Sequence, residues 1–195
     1  MKTLKINSKK VAIAIAMFTT LLTSASCQNK KENAQEQTSK SSVKPPQVDI
    51  HTAVVTGNLE AVRQHIAAGS DINVKDPFGG SSPLISATVF GKTDIAKTLI
   101  DAGAKLNVQN NDGSTALHTA AFFCRPEIVK MLLAKGADKT IKNNYKSTAY
   151  ESVLAPFKDV KSVYDMLGNA LGPMGLKLDY AYIEKTRPEI AAMLK

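Results

Sequence analysis

The stretch Gly113-Ser-Thr-Ala-Leu-His-Thr-Ala-Ala121, followed by Pro126-Glu-Ile-Val-Lys-Met-Leu-Leu-Ala-Lys-Gly-Ala-Asp138, decides how this chain folds. It reads as two short helices. Ser114 to Phe123 opens with a Ser/Thr cap ahead of an apolar face, and Arg125 to Lys135 has Pro126 at a position that suits a first helical turn. Gly136 falls where the second helix must end in a left-handed conformation, which glycine adopts at least cost.

The same pattern recurs upstream. Gly69, Gly103 and Gly136 are in register, as are Gly57 and Gly91 between the helices of a pair. With them run Ile50, Leu84, Leu117 and Tyr150, the small Ala53, Ala87 and Ala120, and the aliphatic Ile66, Ile100 and Leu133. Asn73, Asn107 and Thr140 complete the series. The one extra residue between copies falls in the loop that starts at Asp76, where a repeat array tolerates length variation. Neither helix of a pair can bury its face alone, so stacking of copies must supply the core.

Residues 113–121 and 126–138 resemble the ankyrin repeat. The resemblance is nearest to a full consensus at 110–142, good at 76–109 and reasonable at 49–75. It weakens after Thr140: a degenerate copy spans 143–170, with Pro156 and Phe157 where the helix-ending glycine is due. After the loop Gly172-Pro-Met-Gly175, Arg187-Pro-Glu-Ile190 echoes Arg125-Pro-Glu-Ile128, so 178–195 is expected to form a degenerate, capping helix pair. The fold class implied is an all-α solenoid of stacked helix-turn-helix units with short loop and β-turn fingers, occupying 47–195.

The region before the repeats explains the charge. The chain is formally +8, but Lys2, Lys5, Lys9 and Lys10 precede the apolar run Val11 to Leu22 and the small residues Thr23 to Ser26, the order of a secretory signal at 1–26. From Gln47 onward the net charge is only +2, so the basic balance belongs to targeting, and nucleic acid is not an expected partner. Its twelve residues cover roughly 18 Å, short of a roughly 30 Å hydrocarbon core, so this run is not a transmembrane span. Cys27 after the small residues resembles a bacterial lipobox, which implies lipidation of that cysteine and a membrane tether. The leucines stand at 21 and 22 rather than at Ser24, and an ordinary secretory cut at the same junction is the alternative. The polar stretch to Pro46 reads as a tether, completing a 27–46 segment. The expected location is the bacterial envelope.

The chemistry-bearing residues read mostly as scaffold. His51 and His118 share one repeat position, and the resemblance implies that this histidine bonds loop backbone. His65 stands at a core leucine position. One histidine per repeat lacks the close partners of a zinc site, so no metal or other cofactor is expected. Cys124 takes the place of an inter-helix glycine, and six helical residues separate it from His118, about 240° around the axis, too far for a thiolate-base pair. No catalytic residues are assigned.

The aromatics carry the functional expectation. The resemblance implies that the two positions before the inter-helix glycine face the concave side, and that loop tips contact a partner. Those positions hold Val55 and Thr56, Val89 and Phe90, Phe122 and Phe123, and the tips offer Phe78, Asp112 and Tyr145. Five of eleven aromatics would share one surface, with at least one of Phe122 and Phe123 folding under. Exposed aromatic clusters mark interaction sites. The reading is a monomeric, non-enzymatic module that binds another protein through this surface, with an inhibitor or immunity protein against an envelope enzyme or toxin as the alternative. A thiol-dependent role for Cys124 ranks below both.

Overall fold

The computed structural model describes residues 43–195, and the expectations for the signal segment and Cys27 lie outside them. Among the described residues the elements are helical. Three pairs come first: α1 (Ile50–Thr56) with α2 (Leu59–Ala67), α3 (Pro83–Val89) with α4 (Thr93–Asp101), and α5 (Ala116–Phe122) with α6 (Pro126–Ala134). A 3-10 turn at Glu151–Val153, α7 (Phe157–Leu171), a second 3-10 turn at Gly172–Met174 and α8 (Tyr180–Leu194) follow.

Each first helix begins on a side-chain cap. Asp49, Ser82 and Thr115 accept the backbone N–H of Thr52, Ile85 and His118 respectively, satisfying amides that a helix end leaves orphaned. Each first helix ends at a left-handed residue: Gly57 at φ 79°, Gly91 at φ 63° and Cys124 at φ 53°. The thiol thus sits in the backbone conformation that glycine holds in the copies before it.

First helices stack on first helices and second on second, α1 on α3 on α5 and α2 on α4 on α6. The register positions read from sequence form one continuous core. Ala53, Ala87 and Ala120 are fully buried, as are Leu99, Ile128 and Leu132. The three alanines lie where first helices approach one another, which only a small side chain permits. Beside them Thr88 and Thr119 share a buried hydroxyl contact between neighbouring repeats.

The fourth copy departs from expectation. Residues 180–194 form one continuous helix, not a helix pair, and Pro188 lies inside it. Its second half nonetheless takes the place of a second helix. Ile190 and Leu194 are buried like Ile128 and Leu132 of α6, and α8 packs on α6. The matching first helix is cut to the 3-10 turn, which packs on α5 and buries Val153. Residues 154–179, with α7 at their centre, are inserted where the two helices of the copy would meet. Helix α7 had a visible signal that the repeat register masks: Phe157, Val160, Tyr164, Leu167 and Leu171 recur at helical spacing. All five are at least half-buried or packed inward, and Tyr164 is completely buried.

Candidate recognition surface

Between the helix pairs the chain turns through three fingers of similar construction, the first longer by one residue. The first side chain of each finger is an Asp or Asn that folds back on the tip. Asp76 accepts the N–H groups of Phe78, Gly79 and Ser81 at 2.9, 2.7 and 2.6 Å. Asn110 accepts from Asp112 and Ser114 at 3.1 and 2.8 Å, and Asn143 from Tyr145 and Ser147 at 3.0 and 3.1 Å. These side-chain turns open each finger alike. Counted back from the closing Ser81, Ser114 and Ser147, Gly79 is the counterpart of Asp112 and Tyr145, and Phe78 that of Asn111 and Asn144.

The fingers are also tied to one another. The Asn111 N–H donates to the Gly79 carbonyl and the Asn144 N–H to the Asp112 carbonyl, both at 2.9 Å. The Asn144 side chain adds a bond to the Asn111 carbonyl, also 2.9 Å. Gly113 is required here, because a Cβ would come within 2.9 Å of the Asn144 backbone nitrogen. The row is thus held by backbone bonds, while its tip side chains stand free: Phe78 is 91% exposed and Tyr145 74%. Asp112 is exposed beside them.

The inner ends of the first helices fare differently. Val55, Val89 and Phe90 are half-buried and still reach the surface. Phe123 is buried and cannot meet a partner, which removes it from the recognition surface expected from sequence. Phe122 is half-buried, and its ring stacks on Tyr164 of α7 at 4.4 Å, so its surface role is likewise corrected. The inserted helix supplies the reason for both. Phe122 meets Phe123 edge-on at 5.3 Å, and the Tyr164 hydroxyl donates to the Phe122 carbonyl at 2.5 Å.

The histidines hold loops. Nδ1 of His118 accepts the Thr115 N–H at 3.3 Å, leaving Nε2 to donate to the Ser147 carbonyl in the next finger at 3.1 Å. Burial keeps its pKa below the ordinary imidazole value. His51 does not repeat this bonding, since neither ring nitrogen has a hydrogen-bond partner. Its register counterpart of Thr115 is Val48, which has no hydroxyl. His65, at a core leucine position, is tied at both ring nitrogens: Nε2 donates to the Val48 carbonyl at 2.8 Å and Nδ1 lies 3.1 Å from the Ser70 hydroxyl. It fastens the chain entering the first repeat to the end of α2.

Cys124 is fully buried, and burial pushes its thiol up to about 11. A thiol so raised stays protonated and is a poor nucleophile. Behind it Arg187, which is 3% exposed, donates to the Tyr164 hydroxyl at 2.9 Å and to the carbonyls of Ala155 and Ser152 at 2.9 and 3.3 Å. This arginine closes the truncated fourth copy. Among the described residues no group of His, Cys, Asp and Glu could hold a metal ion, and no helix is long and apolar enough to cross a membrane.

A stack of helix pairs edged by a bonded row of fingers defines a helix-turn-helix repeat scaffold, of the class that presents a preformed surface. Residues 50–143 match the family description of ankyrin repeats in three copies. Human protein phosphatase 1 regulatory subunit 27 is 42% identical over 64 residues, 33% of this chain and 41% of that one, and its mouse counterpart matches equally. The ankyrin repeat-containing protein P1E11.10 of Schizosaccharomyces pombe is 33% identical over 67 residues, covering 34% and 32% of the two chains. Among solved structures, the ankyrin repeat domain of Bcl-3, a member of the IkappaB family, is similar at a TM-score of 0.51 and 34% identity, over 53% of this chain and 45% of that one. The chain therefore spans under half the length of these relatives. Ankyrin repeats are protein-interaction modules.

Proposed function

We propose that this chain is a non-enzymatic adaptor of the bacterial envelope, exported by its N-terminal segment, anchored through a lipid on Cys27, and binding one partner protein through its finger tips and the exposed ends of its first helices. The observation that carries the binding reading is the row of tips. A phenylalanine exposed to 91% and a tyrosine to 74% stand on backbone turns that hydrogen bonds hold in place. Large exposed rings on a rigid base are what a partner's pocket rewards, because little ordering entropy opposes their burial. The lysine-rich start, apolar run and small-residue junction before Cys27 support export and anchoring, and a tether raises the local concentration of envelope partners.

A second reading has its own support. The phosphatase relatives are regulatory subunits by name, which favours an enzyme as the bound partner and inhibition or modulation as the outcome. Adding purified chain to a captured enzyme at equal molar amounts separates this from plain scaffolding.

The test is crosslinking capture from envelope fractions with wild type beside Phe78→Ala and Tyr145→Ala. The adaptor reading expects both variants to lose the partner without a lower melting temperature. Recovery of the same proteins by all three would place binding elsewhere. Cys27→Ser should release the chain from the membrane fraction, and continued attachment would remove the lipid anchor from the account.

A further inference from the structure

The turn between α5 and α6 lies at the far end of the first helix from the fingers, and its polar side chains are poorly satisfied. The degenerate fourth copy shapes it. Helix α8 begins two turns ahead of its second-helix segment, and those turns bring Tyr182 beside the start of α6, where a cleft of about 200 Å³ opens. Gly91, Thr93, Arg125, Pro126 and Glu127 also line it.

Arg125 dominates this cleft. A Cβ on Gly91 would stand 2.9 Å from its Cζ, so the guanidinium lies over the turn of the second repeat where a glycine leaves room. Among the described residues no acid pairs with it, and its Nε is buried without a hydrogen-bond partner. The C-terminal end of α3 beneath supplies about half an elementary charge, not a full one. Burial pulls the guanidinium below its usual pKa, since removal from water penalises the charged form. Thr93 and Tyr182 line the same cleft, and their hydroxyls make no hydrogen bond among the described residues. An unpaired cation and two unbonded hydroxyls thus converge on one cleft, and the guanidinium fork matches the two oxygens of a carboxylate.

The remaining walls narrow the ligand. Glu127 is exposed at the cleft and repels a second negative charge, which favours a carboxylate over a phosphate or sulfate dianion. Pro126 and the Tyr182 ring add apolar surface, and the volume leaves space for only a few carbons.

We propose that this cleft binds a monocarboxylate with a small apolar group, its oxygens on the Arg125 guanidinium and the Thr93 and Tyr182 hydroxyls. A free short-chain acid and the C-terminus of a protein ending in a small apolar residue offer the same chemistry. The site is separate from the finger row and does not depend on the adaptor reading.

The probes are sodium butyrate, neutral butyramide and sodium sulfate, added to the isotope-labelled full chain and followed by amide and arginine Nε–H NMR shifts. Butyrate is expected to move the signals of Gly91, Thr93, Arg125 and Tyr182 saturably, butyramide to leave them in place, and sulfate to bind more weakly. Arg125→Gln should weaken butyrate at least about tenfold and Tyr182→Phe about fivefold. Glu127→Gln should tighten sulfate more than butyrate. Phe78→Ala and Tyr145→Ala should leave every shift unchanged, which separates failure here from failure of the adaptor reading. Equal shifts with butyramide, shifts that do not saturate, or undiminished affinity in a folded Arg125→Gln overturns the proposal. If that variant does not fold, undiminished affinity in Tyr182→Phe overturns it instead. Acetyl-Ala-Ala-Val with a free carboxylate identifies the source: tighter binding than butyrate assigns a protein C-terminus, and weaker binding a free acid.

Discussion

His118 ties pH to stability at a single residue. Its folded pKa lies below the ordinary value because burial penalises the charged ring, so the unfolded chain binds the proton more readily. The sign follows from linkage: the neutral ring's contribution is complete above the unfolded imidazole pKa and is lost as pH falls toward the folded one. Wild type should therefore lose melting temperature as pH drops through the imidazole range, and His118→Gln should show a smaller slope over the same range. Parallel slopes would assign the effect to other groups. Cys124 makes a kinetic counterpart. A buried thiol raised to about 11 should react with iodoacetamide at mildly alkaline pH only through opening of the fold, at least about a hundredfold more slowly than in denaturant. Comparable rates in the two states would mean the thiol is exposed. Both residues were legible as scaffold, one because the family resemblance implies a loop-tying histidine at its position and the other because it replaced a turn glycine. The empty bonding of His51 was not legible. His51 and His118 share one register position, and only the folded neighbours tell their bonding apart.

At the scale of elements, α7 is the feature that the repeat pattern hid. A degenerate copy is evident in Pro156 and Phe157, but the repeat consensus says nothing of the helical period that Phe157, Val160, Tyr164, Leu167 and Leu171 keep among themselves. The cost fell on the site. Phe122 and Phe123 stand at register positions that face outward in principle, and only the presence of Tyr164 against them decides otherwise. Tyr164 both donates to the Phe122 carbonyl and accepts from Arg187, so it joins the insert, the third repeat and α8. Tyr164→Phe keeps the ring stack and removes only the hydroxyl, leaving a buried guanidinium N–H and a carbonyl short of a partner. That change should cost about 1–3 kcal/mol in urea unfolding and speed amide exchange in α7. An unchanged midpoint would show that the ring alone holds the insert. Pro188 is the second local conflict. It echoes Pro126 at a helix start, but here two turns of helix precede it, and the fusion of those turns with the second-helix segment could not be read from an echo of four residues.

Across the whole described array, stability should be graded rather than uniform, because each repeat contacts only its neighbours. The third repeat has partners on both sides: α5 meets α3, the 3-10 turn and α8, and α6 meets α4 and α8. The first repeat has one stacked neighbour, through α1 on α3 and α2 on α4, and His65 fastens its incoming chain at the Val48 carbonyl. Its core is also lighter, since Ala61 and Val62 stand where the second and third copies have Ile95 with Ala96 and Ile128 with Val129. Native-state hydrogen exchange should accordingly show α1 and α2 opening first, with α5 and α6 protected up to the global unfolding free energy. Substitution separates the ends from the middle. Ile128→Ala, at a fully buried position of α6, the helix that meets both α4 and α8, should cost about 2–5 kcal/mol and lower protection in every helix. His65→Ala should raise exchange in α1 and α2 while α5 and α6 keep theirs. Equal loss of protection in all six helices after His65→Ala would mean that the array unfolds as one cooperative unit. In that case the fingers of the second and third repeats would share the instability of the first. If the gradient holds, Asp112 and Tyr145 rise from the best-protected part of the stack, and the end of the recognition row at Phe78 is the part that local opening can loosen.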